Sequence, residues 1–458
     1  MIPPHIFREY DIRGLHETEL TDEVAVAVGR AFGTLVRGEG GTRVALGRDV
    51  RPSSERLAGG VERGLTACGL AVDRVGVVPT PALYYAVSQT GPDAGLQVTG
   101  SHNPPEFNGF KMTRRTRPIF GAEIQEMRAK IERGAFASAA APGRAADAPV
   151  LTAYQQVLVE RCRSVRGLRV VMDCGNGCAG TVVPQAFERM GHTVRPLFAE
   201  LDGRFPNHLP DPTVPALLKD LIAEVRSSGA DLGIGFDGDA DRIGAVDGNG
   251  RIVFGDQLLA LFARDVLERV PGAEILFDVK CSQGLIEDIQ AHGGRPSMWK
   301  TGHSLLKSRL HETGAPLAGE MSGHMFFKEG YFGYDDALFA AGRLLQYLAR
   351  VGKSLAELVD TIPRYFATPE TRLPCPEDKK FEVVETLRRE FGGRYRVIDI
   401  DGVRVEFGDG WGLVRASNTQ PALVVRFEAR SAARLAEIRA RFMEPLARLG
   451  VGEAAVGH

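Results

Sequence analysis

Val98-Thr-Gly-Ser-His-Asn-Pro-Pro-Glu-Phe-Asn-Gly-Phe-Lys111 is the stretch whose reading decides the fold. The apolar run Gly95-Leu-Gln-Val-Thr99 reads as a short strand, and the glycine, asparagine and prolines that follow cannot continue it. Ser101 therefore lies on a loop at a strand end. A hydroxyl there sits on a fixed scaffold, but it is a weak nucleophile until a base, a metal or a cation activates it. A second stretch supplies what this loop lacks. Ala230-Asp-Leu-Gly-Ile-Gly-Phe236 reads as a strand that delivers Asp237-Gly-Asp-Ala-Asp-Arg242, three alternating carboxylates for a hard divalent cation followed by a guanidinium.

Outward from these loops, the chain of 458 residues is too long for one core, and ~100–200 residues per domain gives three or four. A net charge of −2 makes no global field for nucleic acid or membrane, and the basic run Lys111–Arg117 reads as a solvated strand face. The start has no basic segment leading into an apolar one, and no stretch of ~18 apolar residues follows, so a cytoplasmic protein is expected. Six cysteines without a C-x-x-C pair read as reduced, buried thiols; Cys174 and Cys178, the closest pair, lack a second Cys/His pair that would complete a zinc site.

The pattern alternates. Helical periodicity at 22–36 and 53–68 surrounds strands at 43–46, 71–77 and 95–99, which predicts an α/β unit with a mixed sheet. Residues 134–149, Ala-rich with two prolines, read as a linker. A second unit carries helices near 151–163 and 180–190, strands at 168–173 and 193–197, and the strand before the acidic loop. A third has helices at 255–270 and 335–351 and strands at 274–279 and 325–328. After the Pro374-Cys-Pro376 turn, a helix at 377–391, closely spaced strands from 395 to 428 and a helix at 431–448 read as a smaller α+β unit. The expected division is 1–147, 148–251, 252–365 and 366–458. No clean internal repeat is visible.

Each candidate also has an ordinary reading. Phe7-Arg-Glu-Tyr-Asp-Ile-Arg-Gly14 reads as a surface turn in which Arg13 pairs with a carboxylate. His102 follows Ser101, but neighbouring side chains on extended backbone point apart, so the histidine is not expected to serve the serine. The nucleophile elbow G-x-S-x-G is absent. The acidic loop is not an EF-hand, because Arg242 stands where glycine is required and Gly248 where the bidentate glutamate belongs. Gly319-Glu-Met-Ser-Gly-His324 offers a carboxylate, a hydroxyl and an imidazole to one side of a cleft, or is a polar turn. Arg415-Ala-Ser-Asn-Thr-Gln-Pro421 forms an anion nest, or a hairpin turn. Gly175-Asn-Gly-Cys-Ala-Gly180 imitates a dinucleotide fingerprint, and Gly352-Lys-Ser354 imitates a P-loop although Tyr347 replaces its first glycine.

Thr99-Gly-Ser-His-Asn-Pro104, the aspartate loop, Glu320-Met-Ser-Gly-His324 and Arg415–Pro421 together resemble the α-D-phosphohexomutases, enzymes that move a phosphoryl group between O1 and O6 of a hexose, and the resemblance extends over the whole chain. It implies three similar α/β mixed-sheet domains and a smaller C-terminal α+β domain around a central cleft. Ser101 would carry the phosphate; Asp237, Asp239 and Asp241, with an oxygen of the serine phosphate, would hold Mg²⁺; Arg242 would sit beside the transferring group. Tyr10 and Arg13 would line the floor. Glu320, Ser322 and His324 would read the sugar's O3 and O4, and Arg415, Ser417, Asn418 and Thr419 would grip the phosphate that is not reacting. Lys280 and His303 match substrate contacts, and Lys111, His303 and His324 are the acid/base candidates.

The form Glu-Met-Ser-Gly-His looks like the branch that accepts both glucose and mannose phosphates. The phosphoglucosamine branch usually has glutamine where Met321 stands. The expected activity is thus phosphomannomutase/phosphoglucomutase, with glucose 1,6-bisphosphate priming Ser101, hexose phosphates as the only partners, no nucleic acid or membrane, and a monomeric state. The rivals are a phosphoglucosamine mutase, a phosphoserine/Mg²⁺ sugar-phosphate hydrolase, and a non-catalytic sugar-phosphate sensor.

Overall fold

A computed structural model describes residues 2–115, 117–418 and 420–452. Four sheets follow one another along the chain. The first is seven-stranded, ordered Ile12–Leu15, Phe107–Arg114, Ala94–Val98, Arg43–Arg48, Ala71–Val77 and Ala145–Asp147, with Arg117–Pro118 added beside Phe107–Arg114. The second has five strands (Ile252–Val253, Ile243–Asp247, Leu232–Phe236, Arg169–Asp173, Thr193–Leu197) and the third four (Arg295–Trp299, Glu274–Asp278, Leu317–Gly319, Met325–Phe327). In these three, parallel strands covered by helices end in an antiparallel partner, so the sheets are mixed as the alternating pattern predicts. The fourth sheet is antiparallel throughout and has six strands.

The recurring antiparallel step places the functional loops. Ser101 lies between the paired strands Ala94–Val98 and Phe107–Arg114. Asp237–Arg242 lies between Leu232–Phe236 and Ile243–Asp247, Glu320–His324 between Leu317–Gly319 and Met325–Phe327, and Arg415–Pro421 at the turn between Gly410–Ala416 and Ala422–Ala429. Each loop is a hairpin connection in its own sheet, although the sequence displays no internal repeat.

Local sequence sets the helix ends. Thr21 caps Asp22–Gly38 by accepting from Val24 N, and Asp336 caps Ala337–Val351 by accepting from Phe339 N at 2.8 Å. Ser354 forms a capping box with Glu357. Gly352-Lys-Ser354 is therefore the joint between two helices and not a phosphate loop. The 180–190 helix is shorter than expected: a 3₁₀ turn, Cys178–Thr181, is followed by the helix Gln185–Arg189 after Pro184, whose missing N–H interrupts a longer helix. The linker contributes one strand, Ala145–Asp147. The opening segment is more than a surface turn, since Ile12–Leu15 pairs with Phe107–Arg114 and sets Arg13 beside the Ser101 loop, where it donates to Asn103.

Most apolar side chains of the second and third units, joined by the helix Thr80–Gln89 of the first, make one continuous core, whereas the C-terminal unit has its own. That unit docks through Arg404, which is fully buried, lies 3.9 Å over the Trp411 ring, and donates to the carbonyls of Val279 and Cys281 at 2.8 and 2.9 Å. A desolvated cation–π contact of this kind contributes ~2 kcal/mol. All six cysteines are buried and free.

Candidate active site

Ser101 has φ +50°, the left-handed region that strains a non-glycine residue. Its N–H donates to Thr99 Oγ1 at 2.9 Å, and its hydroxyl donates to Asp237 Oδ2 at 2.8 Å. The same backbone turn corrects the expectation for His102: the chain is not extended here, so the two side chains do not diverge, and His102 Nδ1 lies 3.1 Å from Ser101 Oγ. Burial, reinforced by Arg242, holds that imidazole well below its ordinary range, so it is neutral.

The acidic loop comes close because Gly238 has no side chain: a Cβ there would lie 2.3 Å from the Ser101 carbonyl oxygen. Likewise a Cβ on Gly177 would lie 2.7 Å from Gly238 O, and Cys178 N donates to that carbonyl at 2.9 Å. Gly177, the middle glycine of the run that imitates a dinucleotide fingerprint, thus seats the acidic loop.

Asp237, Asp239 and Asp241 are fully buried, each offering an oxygen within 4.8 Å of the others. Lys111 Nζ bridges Asp239 Oδ2 at 2.7 Å and Asp241 Oδ2 at 2.5 Å, and Thr80 donates to Asp239 at 2.6 Å. Burial alone would raise the Asp239 carboxyl, but Lys111 outweighs it and holds Asp239 ionised. Asp237 is pushed well up by burial and by its two acidic neighbours. Asp239 Oδ1 and Asp241 Oδ1 are buried acceptors with no hydrogen-bond partner among the described residues. Two orphaned carboxylate oxygens beside the Ser101 hydroxyl fit a hard divalent cation such as Mg²⁺.

Arg242 Nε donates to His324 Nε2 at 2.9 Å, which puts the His324 proton on Nδ1, facing Asp335 Oδ2 at 3.1 Å. His303 stacks on His324 with ring centroids 5.1 Å apart, and its Nδ1 is 3.4 Å from the same Asp335 oxygen. Burial lowers His303, with Asp335 opposing it. Lys307 balances Asp335 at 2.6 Å and lies 3.9 Å over the Tyr84 ring. Asp241, His324 and Asp335 form a second close trio of ligand type, but here Lys307 supplies the cation.

On the Glu320–His324 loop, Glu320 accepts from Gly302 N at 2.6 Å and from Ser322 Oγ at 3.2 Å, which ties this loop to the turn before His303. Lys280 pairs with Glu370 at 2.9 Å. Arg13 joins Asp11 at 2.6 Å to Asn103 Oδ1 at 2.8 Å and so braces the Ser101 loop. Arg415 Nε donates to Asp401 Oδ2 at 3.0 Å, and the same oxygen accepts from Thr301 N at 3.0 Å. Ser417 Oγ accepts from Gln420 N at 3.2 Å. Thr419 lies outside the described residues.

Asp335, Lys307, Asp401, Glu370 and Thr80 were not singled out in the sequence. Their partners come from distant segments, and the one available signal, paired aspartates before an apolar helix, accounts for Asp336 as a cap but not for Asp335.

Four family models match in order: phosphoglucomutase/phosphomannomutase alpha/beta/alpha domain I over residues 4–138, domain II over 151–250, domain III over 254–365, and the C-terminal domain over 370–444. A phosphomannomutase/phosphoglucomutase from Pseudomonas aeruginosa is 47% identical over 446 residues, covering 97% of this chain and 96% of that one. A phosphoglucomutase from Neisseria gonorrhoeae is 45% identical over 440 residues, 95% of each. A crystal structure of a phosphoglucomutase/phosphomannomutase family protein from Burkholderia thailandensis superposes with a TM-score of 0.92 at 44% identity, covering 98% of both chains.

Proposed function

The chain belongs to the phosphoglucomutase/phosphomannomutase group of the α-D-phosphohexomutase family, and from that premise we infer that it interconverts the 1- and 6-phosphates of glucose and mannose. The observation that carries the chemistry is Ser101 Oγ donating at 2.8 Å to Asp237, one of three buried carboxylates of which the other two keep unpartnered oxygens.

We propose that Ser101 is the phosphate carrier. The bond from phosphorus to Ser101 Oγ breaks as one forms to the free O1 or O6 of the hexose monophosphate, and the hydroxyl proton passes to a nearby base. The hexose 1,6-bisphosphate then turns end for end, and Ser101 Oγ takes back the other phosphoryl group while the leaving sugar oxygen recovers a proton. Asp237, Asp239 and Asp241, with an oxygen of the serine phosphate, would hold Mg²⁺, which when bound neutralises charge on the transferring group. Arg242, its Nε directed by His324, adds a fixed guanidinium at the same place.

Proton transfer falls to His303 and His324, both close to Asp335. Lys111, a candidate base only if neighbouring cations lowered it, is corrected: burial alone would lower it, but Asp239 and Asp241 outweigh that and hold it protonated, so it can serve only as an acid. Glu320, Ser322 and Lys280 face the sugar; Arg415, Ser417, Asn418 and Thr419 take the distal phosphate, so that either end is held while the other reacts. Tyr10 and Arg13 close the floor. Glucose 1,6-bisphosphate primes Ser101, and the protein acts in the cytoplasm as a monomer, a state that light scattering tests.

The test is an assay with glucose 1-phosphate and mannose 1-phosphate, Mg²⁺ and a trace of glucose 1,6-bisphosphate. Formation of 6-phosphates from both sugars is expected. Free phosphate without isomerisation would mean a hydrolase, and turnover of glucosamine phosphates alone would mean the phosphoglucosamine branch.

A further inference from the structure

Beneath the Ser101 loop lies a guanidinium that the chemistry above does not use. Arg51 is buried, its side chain 0% exposed, and each of its five N–H groups has an acceptor. Nη1 donates to Pro104 O at 2.6 Å and to Phe107 O at 3.0 Å; Nη2 donates to Ser101 O at 2.9 Å and to Asn103 O at 2.5 Å. Nε donates to Asp49 Oδ2 at 3.1 Å, and that oxygen also accepts from Gly100 N at 3.0 Å. Asp49 is held in turn by Arg51 N at 3.0 Å and by Ser54 Oγ at 2.5 Å on its other oxygen. On the far side the guanidinium packs over the Phe205 ring at 4.9 Å, and a Cβ on Gly203 would meet Arg51 Cα at 2.4 Å, so the second unit closes this side.

A strained serine persists only where its surroundings over-determine it. Here Thr99 binds its N–H and Arg51 its carbonyl, and between these two bonds the Cα–Cβ bond aims Oγ at Asp237. We propose that Arg51, with Asp49 behind it, is a positioning residue for phosphoryl transfer: it holds the Ser101 loop in the strained form that presents Oγ, without touching the sugar. The proposal rests on the reading of Ser101 as phosphate carrier. Lysine would not substitute, because one ammonium has neither the planar fork nor the five donors that reach four carbonyls and a carboxylate at once.

The experiment compares the parent with Arg51→Lys and Asp49→Asn, measuring kcat and KM for glucose 1-phosphate and the phosphate transferred to Ser101 from labelled glucose 1,6-bisphosphate. Arg51→Lys is expected to lower kcat about 10²-fold, the scale of a misplaced reacting group, with KM within about threefold of the parent and slower labelling of Ser101. If the lysine variant does not fold, Asp49→Asn carries the test, with a smaller loss confined to kcat. Parental kcat and labelling rate in a folded variant, or a change in KM alone, overturns the proposal. Failure of the parent itself to label Ser101 would instead overturn the reading beneath it.

Discussion

Asn418 donates from Nδ2 to Tyr10 Oη at 2.5 Å, joining the last sheet's turn to the first residues of the chain. The same hydroxyl donates to Thr301 O at 2.7 Å, so three units meet on one phenol. Tyr10→Phe removes both bonds. At ~1 kcal/mol for each net hydrogen bond, the arrangement in which these three units meet loses about thirtyfold in population. More glucose 1,6-bisphosphate is therefore expected to escape per turnover, with a higher concentration of added bisphosphate needed for full activity. Chromatographic measurement of released bisphosphate checks this; a release equal to the parent's would remove Tyr10 from the closure.

Lys111 balances two buried carboxylates. Lys111→Met leaves them facing each other without a cation, and removal of one partner of a buried pair costs ~3–5 kcal/mol. Urea denaturation in EDTA is expected to show that loss, and added Mg²⁺ should restore more stability to the variant than to the parent. Equal unfolding midpoints in EDTA would contradict the arrangement.

Arg415→Ala removes the guanidinium of the proposed distal clamp and leaves Asp401 only Thr301 N as a partner among the interactions described above. A charge-assisted bond to phosphate contributes ~1.5–3 kcal/mol. KM for glucose 1-phosphate should rise about tenfold or more, with increased bisphosphate escape. Steady-state kinetics showing both unchanged would end the clamp assignment.

His192 is buried in the second unit, accepts from Leu168 N at 3.3 Å, and burial pulls it from its ordinary 6.5 down to about 4. Between these values the unfolded chain binds a proton that the folded one does not. The stability is therefore full above pH ~6.5 and is lost as pH falls through ~4. His192→Gln, which keeps an acceptor but does not titrate, should lose less Tm than the parent between about pH 7 and pH 5. Identical acid sensitivity of the two proteins would assign the acid loss to other groups.

What was legible in the sequence is what each hairpin carries on consecutive residues. Ser101 after a strand, and alternate aspartates after another, declare both backbone and chemistry within a few positions, and each lies where its strand pairing puts it. The reading failed where it assumed extended backbone: φ +50° at Ser101 brings His102 back toward the hydroxyl. At Phe7–Gly14 the ordinary reading as a surface turn was right about Arg13, which pairs with Asp11, but missed the strand Ile12–Leu15, because its pairing partner Phe107–Arg114 lies far along the chain. Arg51, Asp335 and Asp401 were illegible for a third reason. Each acts on a loop that another stretch of chain supplies, and nothing local to Arg51 announces a grip on carbonyls of residues 101, 103, 104 and 107.

The most direct measurement is a single turnover of enzyme carrying labelled phosphate on Ser101, mixed with unlabelled glucose 6-phosphate and Mg²⁺. The label is expected first in glucose 1,6-bisphosphate and then in glucose 1-phosphate, with Ser101 rephosphorylated by unlabelled phosphate and with no label taken up by Ser101→Ala. Label released as inorganic phosphate, or label found on another residue of an active Ser101→Ala enzyme, would contradict Ser101 as the carrier.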